Sequence, residues 1–424
     1  MSKSQWETQA AELAAEQAAR GDVSLDLARR ALIEIDRLLR DAPTPVQQAY
    51  KAIAEADLRA LAGEAESALD EGSAAWRDLG PVLAAAVQAR ALDNFLFQNR
   101  LTRGKPDDPN NDYLCEELDC HAIPRPLAEP PRDPMDVTTR TYRRRGLVRH
   151  RIIPRNCGGY EISLEWHPDL SVAFRRKERT VVGGLFRNLS LVRDETFEHY
   201  VAHAAPCDAE EEAIAAQAAA AYHEHAAIAL WPELTMPPER RDKLVTALRA
   251  EALKSPPGTG AAFCAAGSWH EVEGAEVRNR MHILSATGRP RFHHDKSLPL
   301  ESKTLGTEQL TPSFRLPVLI GEDALIAFAI CRDFCENQVS KLYREIDVDL
   351  VIVPSYGDKA TIDAHRQQAK NLSDDPGTRA FVVQQLIPGQ VEKYGTGFIL
   401  PPTGEPPFTS DEFATSHPIS FKRV

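Results

Sequence analysis

The chain has 424 residues, a formal net charge of −12 and a pI near 5.6, with 43% apolar and 26% charged residues. That length accommodates two domains and a large core, while the acidic balance argues against nucleic-acid binding, which calls for a basic footprint. No apolar run nears the roughly 20 residues that span a bilayer, the first residues lack an export pattern, and seven scattered cysteines suit a reducing compartment; a cytoplasmic protein with no membrane partner is expected.

Residues 1–100 predict five short helices. Gln5–Arg20 and Ser24–Asp41 come first, with Ser24 as a cap and Ala28, Ala31, Leu32, Ile35, Leu38 and Leu39 as one apolar stripe. Thr44-Pro45 reads as a cap followed by proline at the first helical position. A shorter segment lies between Gly63 and Gly72, and Pro81–Asn99 closes the set. The expectation is an all-α bundle or array whose stripes face inward, with a protein partner on these helices as the rarer use.

Residues 101–150 change character. Prolines at 106, 109, 124, 126, 130, 131 and 134 predict a linker or an extended wrap. Cys115 and Cys120-His121 have the wrong spacing for a zinc knuckle and no second pair follows, so no metal is expected. Arg140–Arg155 is the one basic cluster, read as a strand with a solvated or interdomain face. Tyr160–Trp166 and Leu170–Phe174 alternate as a hairpin or edge ribbon would.

From residue 151 to 424 the pattern is α/β. Thr180–Leu185 predicts a core strand, Asp208–His225 an alanine-rich helix and Ala226–Leu230 a buried strand ending at Trp231-Pro232-Glu233, where proline blocks further ladder pairing. Phe263–Lys296 predicts a meander with turns at Glu273-Gly274 and Thr287-Gly288, delivering Lys296 beside the parallel strands. Arg315–Leu319 leads into Ile326–Ile330, an apolar run that stops at Cys331. Asn337–Ile346 follows with helical spacing, then the apolar run Val348–Pro354. Strand, helix and strand without polar alternation predict a parallel unit buried on both sides. A cysteine where the strand turns into the helix has the following amides at hand to stabilise a thiolate. Such a nucleophile needs a base and a positive, N–H-rich pocket, for which Glu233 and Lys296 are the candidates.

The order Pro232-Glu233, then Gly267-Ser268, Asn279, Gly288 and Lys296, then Cys331-Arg332-Asp333, then VPSYG at 353–357 resembles the carbon–nitrogen hydrolase (nitrilase) superfamily. Gly395–Gly404 (GTGFILPPTG) resembles its closing strand and Arg366–Asn371 its Arg-x-x-x-x-Asn helix. The resemblance covers roughly residues 180–404. It implies a nitrilase-like α-β-β-α sandwich after the helical region, a Glu233–Lys296–Cys331 triad, no cofactor, a small amide or nitrile substrate, and a homodimer or larger homo-oligomer. A second pocket glutamate is implied after the lysine, with Glu301 and Glu308 both eligible. Arg332, His294 and Tyr356 are further candidates for the pocket. Two other readings stay open: an inactive ligand-binding or scaffold protein, and an effector enzyme recruited into an assembly by its N-terminal helices.

Overall fold

The computed structural model describes residues 1–18, 24–70, 79–100, 108–124, 147–170, 180–196, 199–223, 226–256, 258–302, 306–321, 324–374, 378–386, 397–400 and 419–421. The chain divides into two compact units, Met1–Arg155 and Asn156–Val424. Residues 140–146 of the basic cluster, most of the GTGFILPPTG stretch and most of the segment after Pro406 lie outside the described residues.

The first unit holds α1 (Lys3–Ala18), α2 (Leu25–Arg40), α3 (Thr44–Ala52), α4 (Glu55–Asp70), α5 (Pro81–Arg100) and the single turn α6 (Pro109–Asp112). Ser24 Oγ accepts the Leu27 amide at 3.2 Å, as an N-cap should, but Pro43 rather than Thr44 caps α3. Trp6, Leu32, Ile35, Leu39, Tyr50 and Leu92 are buried together, and Trp6 Nε1 donates to the Leu38 carbonyl at 2.7 Å. Each large side chain so buried contributes about 1.5–3 kcal/mol. The unit is not all-α. Strands β1 (Leu114–Cys115), β2 (Cys120–Pro124) and β3 (His150–Pro154) form a small antiparallel sheet, two of them inside the proline-rich stretch. Asp93 of α5 ties that sheet down: one carboxylate oxygen accepts the Val148 and Arg149 amides at 2.7 and 2.6 Å, the other meets His150 Nδ1 at 2.9 Å.

The second unit is a two-sheet sandwich. Its strands are β4 (Asn156–Cys157), β5 (Tyr160–Glu165), β6 (Thr180–Gly183), β7 (Val192–Thr196), β8 (His199–Ala204), β9 (Ala226–Leu230), β10 (Phe263–Glu273), β11 (Glu276–Ser285), β12 (Pro290–Asp295), β13 (Glu301–Ser302), β14 (Gly306–Glu308), β15 (Arg315–Ile320), β16 (Leu325–Phe328), β17 (Leu350–Gly357), β18 (Arg379–Leu386), β19 (Gly397–Leu400) and β20 (Ile419–Phe421). One sheet runs β12-β11-β10-β9-β6-β20, the other β19-β18-β17-β16-β15-β5-β4. Their inner faces meet through Ile228, Leu230, Phe263, Met281 and Ile283 on one side and Leu319, Ile326, Phe328, Ile352 and Phe381 on the other.

Helices α7 (Glu210–His223) and α8 (Pro238–Lys254) pack on the outer face of the first sheet through Ile214, Ala218, Ala221, Leu244 and Leu248. The short turn α9 (Arg332–Cys335) and helices α10 (Asn337–Glu345) and α11 (Lys359–Asp374) serve the second, where Tyr343 donates to the Phe328 carbonyl at 2.9 Å. β16 and β17 are parallel, as the apolar runs predict. Tyr160–Glu165, expected in a hairpin or edge ribbon, forms a tight antiparallel hairpin with the edge strand β4 and on its other side lies parallel to β15; residues 171–174 of the expected second strand lie outside the described residues. A separate sheet, β13-β14-β8-β7, carries Tyr200 and Glu308.

Candidate active site

Glu233 is set by the loop that leaves β9. Trp231 still pairs through its amide with the Ala265 carbonyl (3.0 Å) and its indole donates to Gln217 (2.7 Å), so the chain is pinned just before Pro232. The Pro232 carbonyl then accepts Thr235 Oγ1 (2.8 Å) and the Ser268 amide (3.3 Å). Beside it, Gly267 occupies a bulge in β10 at φ 54°, where a Cβ would sit 2.5 Å from that carbonyl. Only glycine takes this position without displacing the glutamate loop. Glu233 ends 1% exposed, with Oε1 accepting Lys296 Nζ (2.8 Å) and Asn279 Nδ2 (3.1 Å), and Oε2 accepting the Tyr356 amide (3.1 Å).

Lys296 follows β12, where its amide pairs with the Asn279 carbonyl at 2.9 Å. Its ammonium is buried between Glu233 and Glu308 Oε2 (2.5 Å). Glu308 also accepts Asn279 Nδ2 (2.7 Å), the Leu300 amide (2.8 Å) and His270. The Ala202 amide donates to His270 Nδ1 at 2.8 Å, which puts the ring proton on Nε2, 3.0 Å from Glu308. Burial pulls the Lys296 ammonium down, but the two carboxylates outweigh it and hold the group charged well above the ordinary lysine range. Burial likewise pushes Glu308 up, and Lys296 and His270 reverse it, leaving an ionised carboxylate.

Cys331 stands between β16 and α9 with φ 46° and ψ −106°, a conformation rare for a residue with a side chain. Its amide donates to the Pro354 carbonyl at 2.9 Å, and the Asp333 and Phe334 amides are committed to Ile330 and Cys331 carbonyls. The turn thus aims the buried Sγ at β17, 3.5 Å from Ser355 Oγ and 3.9 Å from the Tyr356 carbonyl. Tyr356 therefore touches both partners, its N–H on Glu233 and its C=O beside the sulfur. Burial pushes the Cys331 thiol up and the Glu233 carboxylate adds to this, against Lys296 and Ser355; the proton stays on sulfur at neutral pH. Asp333 points the other way and accepts the Ser297 and Leu298 amides (3.0 and 2.9 Å), fixing the chain just after Lys296.

The structure separates the remaining candidates. Glu308 is the glutamate beside Lys296. Glu301 lies on β13 with a 68% exposed side chain, 3.4 Å from Arg332. The Arg332 guanidinium is occupied by the Pro299 carbonyl (2.6 Å), Glu301 and Glu336 (3.1 Å), which leaves its backbone amide, next to Cys331 at the head of α9, as the group it has to offer. Tyr356 contributes backbone, its ring being buried among Trp231 and Leu234. His294 is fully buried, its two ring nitrogens have no hydrogen-bond partner among the described residues, and burial pulls it down to about 4, so it is a neutral ring not bonded to Glu233, Lys296 or Cys331. Sequence reasoning missed His270, Asn279 as a carboxylate bridge, Ser355 and His365. The available signal was polar: Ser268, His270 and Asn279 are buried, and the last two are register partners across β10 and β11.

Among the described residues no group of three or more His, Cys, Asp or Glu could hold a metal, and no helix is long and apolar enough to cross a membrane. No family model matches the chain, and no curated protein matches it. Several solved structures are similar. The NitN amidase from a Nesterenkonia species shares 16% identity over 55% of this chain and 89% of its own, with a TM-score of 0.39. A variant of that amidase, with the acetamide moiety of fluoroacetamide added covalently at its active-site cysteine, shares 16% identity over 59% and 92%, with a TM-score of 0.40. The C. elegans NitFhit protein shares 14% identity over 53% of this chain and 56% of its own, with a TM-score of 0.38. Similarity at that level leaves the chemistry of the site to be argued from its own geometry.

Proposed function

We propose that the second unit is a carbon–nitrogen hydrolase of the nitrilase type, cleaving a small amide or nitrile through a thioester on Cys331. The observation that carries this reading is the buried Lys296 ammonium, clamped by Glu233 at 2.8 Å and Glu308 at 2.5 Å, in a site where the Tyr356 backbone joins Glu233 to the Cys331 sulfur. Two carboxylates against one ammonium leave a surplus negative charge in a water-poor place. A base stored this way takes a thiol proton at neutral pH.

For an amide, Glu233 removes the Sγ proton of Cys331 as the sulfur attacks the carbonyl carbon. Two of the three ammonium hydrogens of Lys296 are spent on carboxylates, and the third, with the Arg332 backbone amide, stabilises the oxyanion. Protonated Glu233 then gives its proton to the leaving nitrogen, the C–N bond breaks and ammonia or an amine departs. The same carboxylate activates a water, which attacks the thioester; the acid leaves and the thiol is restored. Glu308 with His270 and Asn279 keeps Lys296 charged and in place throughout. The chemistry calls for no cofactor. The test is ammonia release from a panel of aliphatic amides and nitriles by the full chain. Turnover lost in Cys331→Ala supports the reading; turnover that survives it rules the reading out.

A further inference from the structure

A buried polar chain that the mechanism above does not use ends on the nucleophile. Ser355 of β17 is fully buried, and its Oγ lies 3.5 Å from Cys331 Sγ, 3.2 Å from Gln384 Oε1 and 2.9 Å from His365 Nε2. His365 of α11 is also fully buried, and its Nδ1 lies 3.0 Å from Cys335 Sγ, one turn beyond the nucleophile. The directions of these bonds can be worked out. Gln384 Nε2 donates to the Asp358 carbonyl at 2.8 Å, so its oxygen faces Ser355 and can only accept. The hydroxyl proton is thus directed to Gln384 or to Cys331, and His365 supplies Nε2–H to Ser355 Oγ. Its Nδ1 is then the acceptor, facing the Cys335 thiol. A ring that burial draws down to about 3 is neutral, as this tautomer needs.

We propose that Ser355 donates its hydroxyl to the Cys331 sulfur as negative charge develops there, and that His365, backed by Cys335, is the positioning residue that keeps the Ser355 proton free for it. At rest the hydroxyl serves Gln384 Oε1; when the thiol is deprotonated it turns to the stronger, charged acceptor. Lys296 favours the charged sulfur from the other sheet and Glu233 opposes it, so the Ser355 bond adds to the lysine's effect against burial and the carboxylate. The inference rests on the reading of Cys331 as a nucleophile.

The test is the pH profile of iodoacetamide alkylation at Cys331, read peptide by peptide in the full chain, for wild type, Ser355→Ala, His365→Phe and His365→Gln. A hydrogen bond to a charged group corresponds to about one to two pH units, so Ser355→Ala raises the Cys331 inflection by that amount, roughly ten- to a hundredfold less thiolate at a given pH. His365→Phe raises it in the same direction. His365→Gln, whose amide can still donate, returns it toward wild type, which a merely structural role would not do. An unmoved inflection in Ser355→Ala overturns the inference, as does an equal shift in the Phe and Gln variants. If Glu233→Gln moves the profile and Ser355→Ala does not, the inference alone fails. If wild-type Cys331 is not alkylated at any pH at which the chain stays folded, the nucleophile reading fails with it. Absent amide turnover alongside a Ser355-dependent inflection counts against the hydrolase reading only.

Discussion

Two cations in the second unit are buried to the same depth and do different things. Arg240 (2% exposed) spends its donors on the Thr235 and Ala205 carbonyls (both 2.5 Å) and on one carboxylate, Glu210 (2.6 Å). Charge and hydrogen bonds balance there, and the result is a fixed joint between α8 and its neighbours. Lys296 (1% exposed) faces two carboxylates, one of them 3.1 Å from an amide of the strand that borders Cys331. The Lys296 cluster carries one negative charge more than it needs. Buried charge by itself says little about function, since a balanced pair mostly fixes geometry; a surplus carboxylate next to a thiol is a stored base.

Replacing the sulfur tests the difference most severely. Cys331→Ala is expected to lower hydrolysis at least about 1,000-fold with the melting temperature little changed, read by ammonia release and calorimetry. Lys296→Met comes next. It removes the oxyanion donor, for a loss of roughly 100- to 1,000-fold, and leaves two buried carboxylates unpaired, for about 3–5 kcal/mol of stability by denaturant titration. Gly267→Ala forces a Cβ against the Pro232 carbonyl and displaces Glu233; activity is expected to drop by up to about 100-fold while Cys331 itself stays intact. Arg240→Met, by contrast, lowers stability by about 2–4 kcal/mol but leaves Cys331 of the folded protein as reactive as before; loss of that reactivity would erase the contrast between the two cations.

The smallest effect concerns acid. Burial pushes the Glu271 carboxyl up, but His282 and Arg241 reverse this and hold it at about 2. Its folded pKa is thus below the unfolded value, so its contribution is fully present above about pH 4.5 and is lost as pH falls toward 2. After allowance for solvent screening that is on the order of 1–2 kcal/mol. A Glu271→Gln variant should lose this part of the acid transition in a pH series of urea melts.

The contrast also explains what could be read beforehand. Glu233 and Cys331 stood out because each ends an apolar run, Lys296 because a meander with two turns leads to it, and all three because their order resembles a known one; the structure places Lys296 Nζ 2.8 Å from Glu233. Glu308 was not separable from Glu301, since its place depends on β14 lying parallel to β8, a pairing about 100 residues apart that no local periodicity announces. Tyr160–Glu165 was legible as a hairpin strand, but its parallel pairing with β15, far along the chain, which buries Tyr160, Ile162 and Leu164, was not. β3 falls inside Arg140–Arg155, which reads as a strand, whereas β1 and β2 escaped notice inside a stretch whose prolines suggest a linker. Ser355 stands in the VPSYG stretch and reads as a small residue shaping the slot, His365 reads as an ordinary helix residue, and only the approach of α11 to β17 joins them.

The most direct measurement is the rate at which iodoacetamide labels Cys331 near neutral pH, compared with the other six cysteines and with a Glu233→Gln variant. Cys331 labelling faster than the fully buried Cys264, and slowing at least about tenfold in Glu233→Gln, is the result predicted here; because the Glu233 charge itself holds the thiol up, such slowing reports proton removal by that carboxylate as the sulfur attacks. Cys331 reacting no faster than the fully buried Cys264, or labelling at the same rate with and without the Glu233 carboxylate, would contradict it.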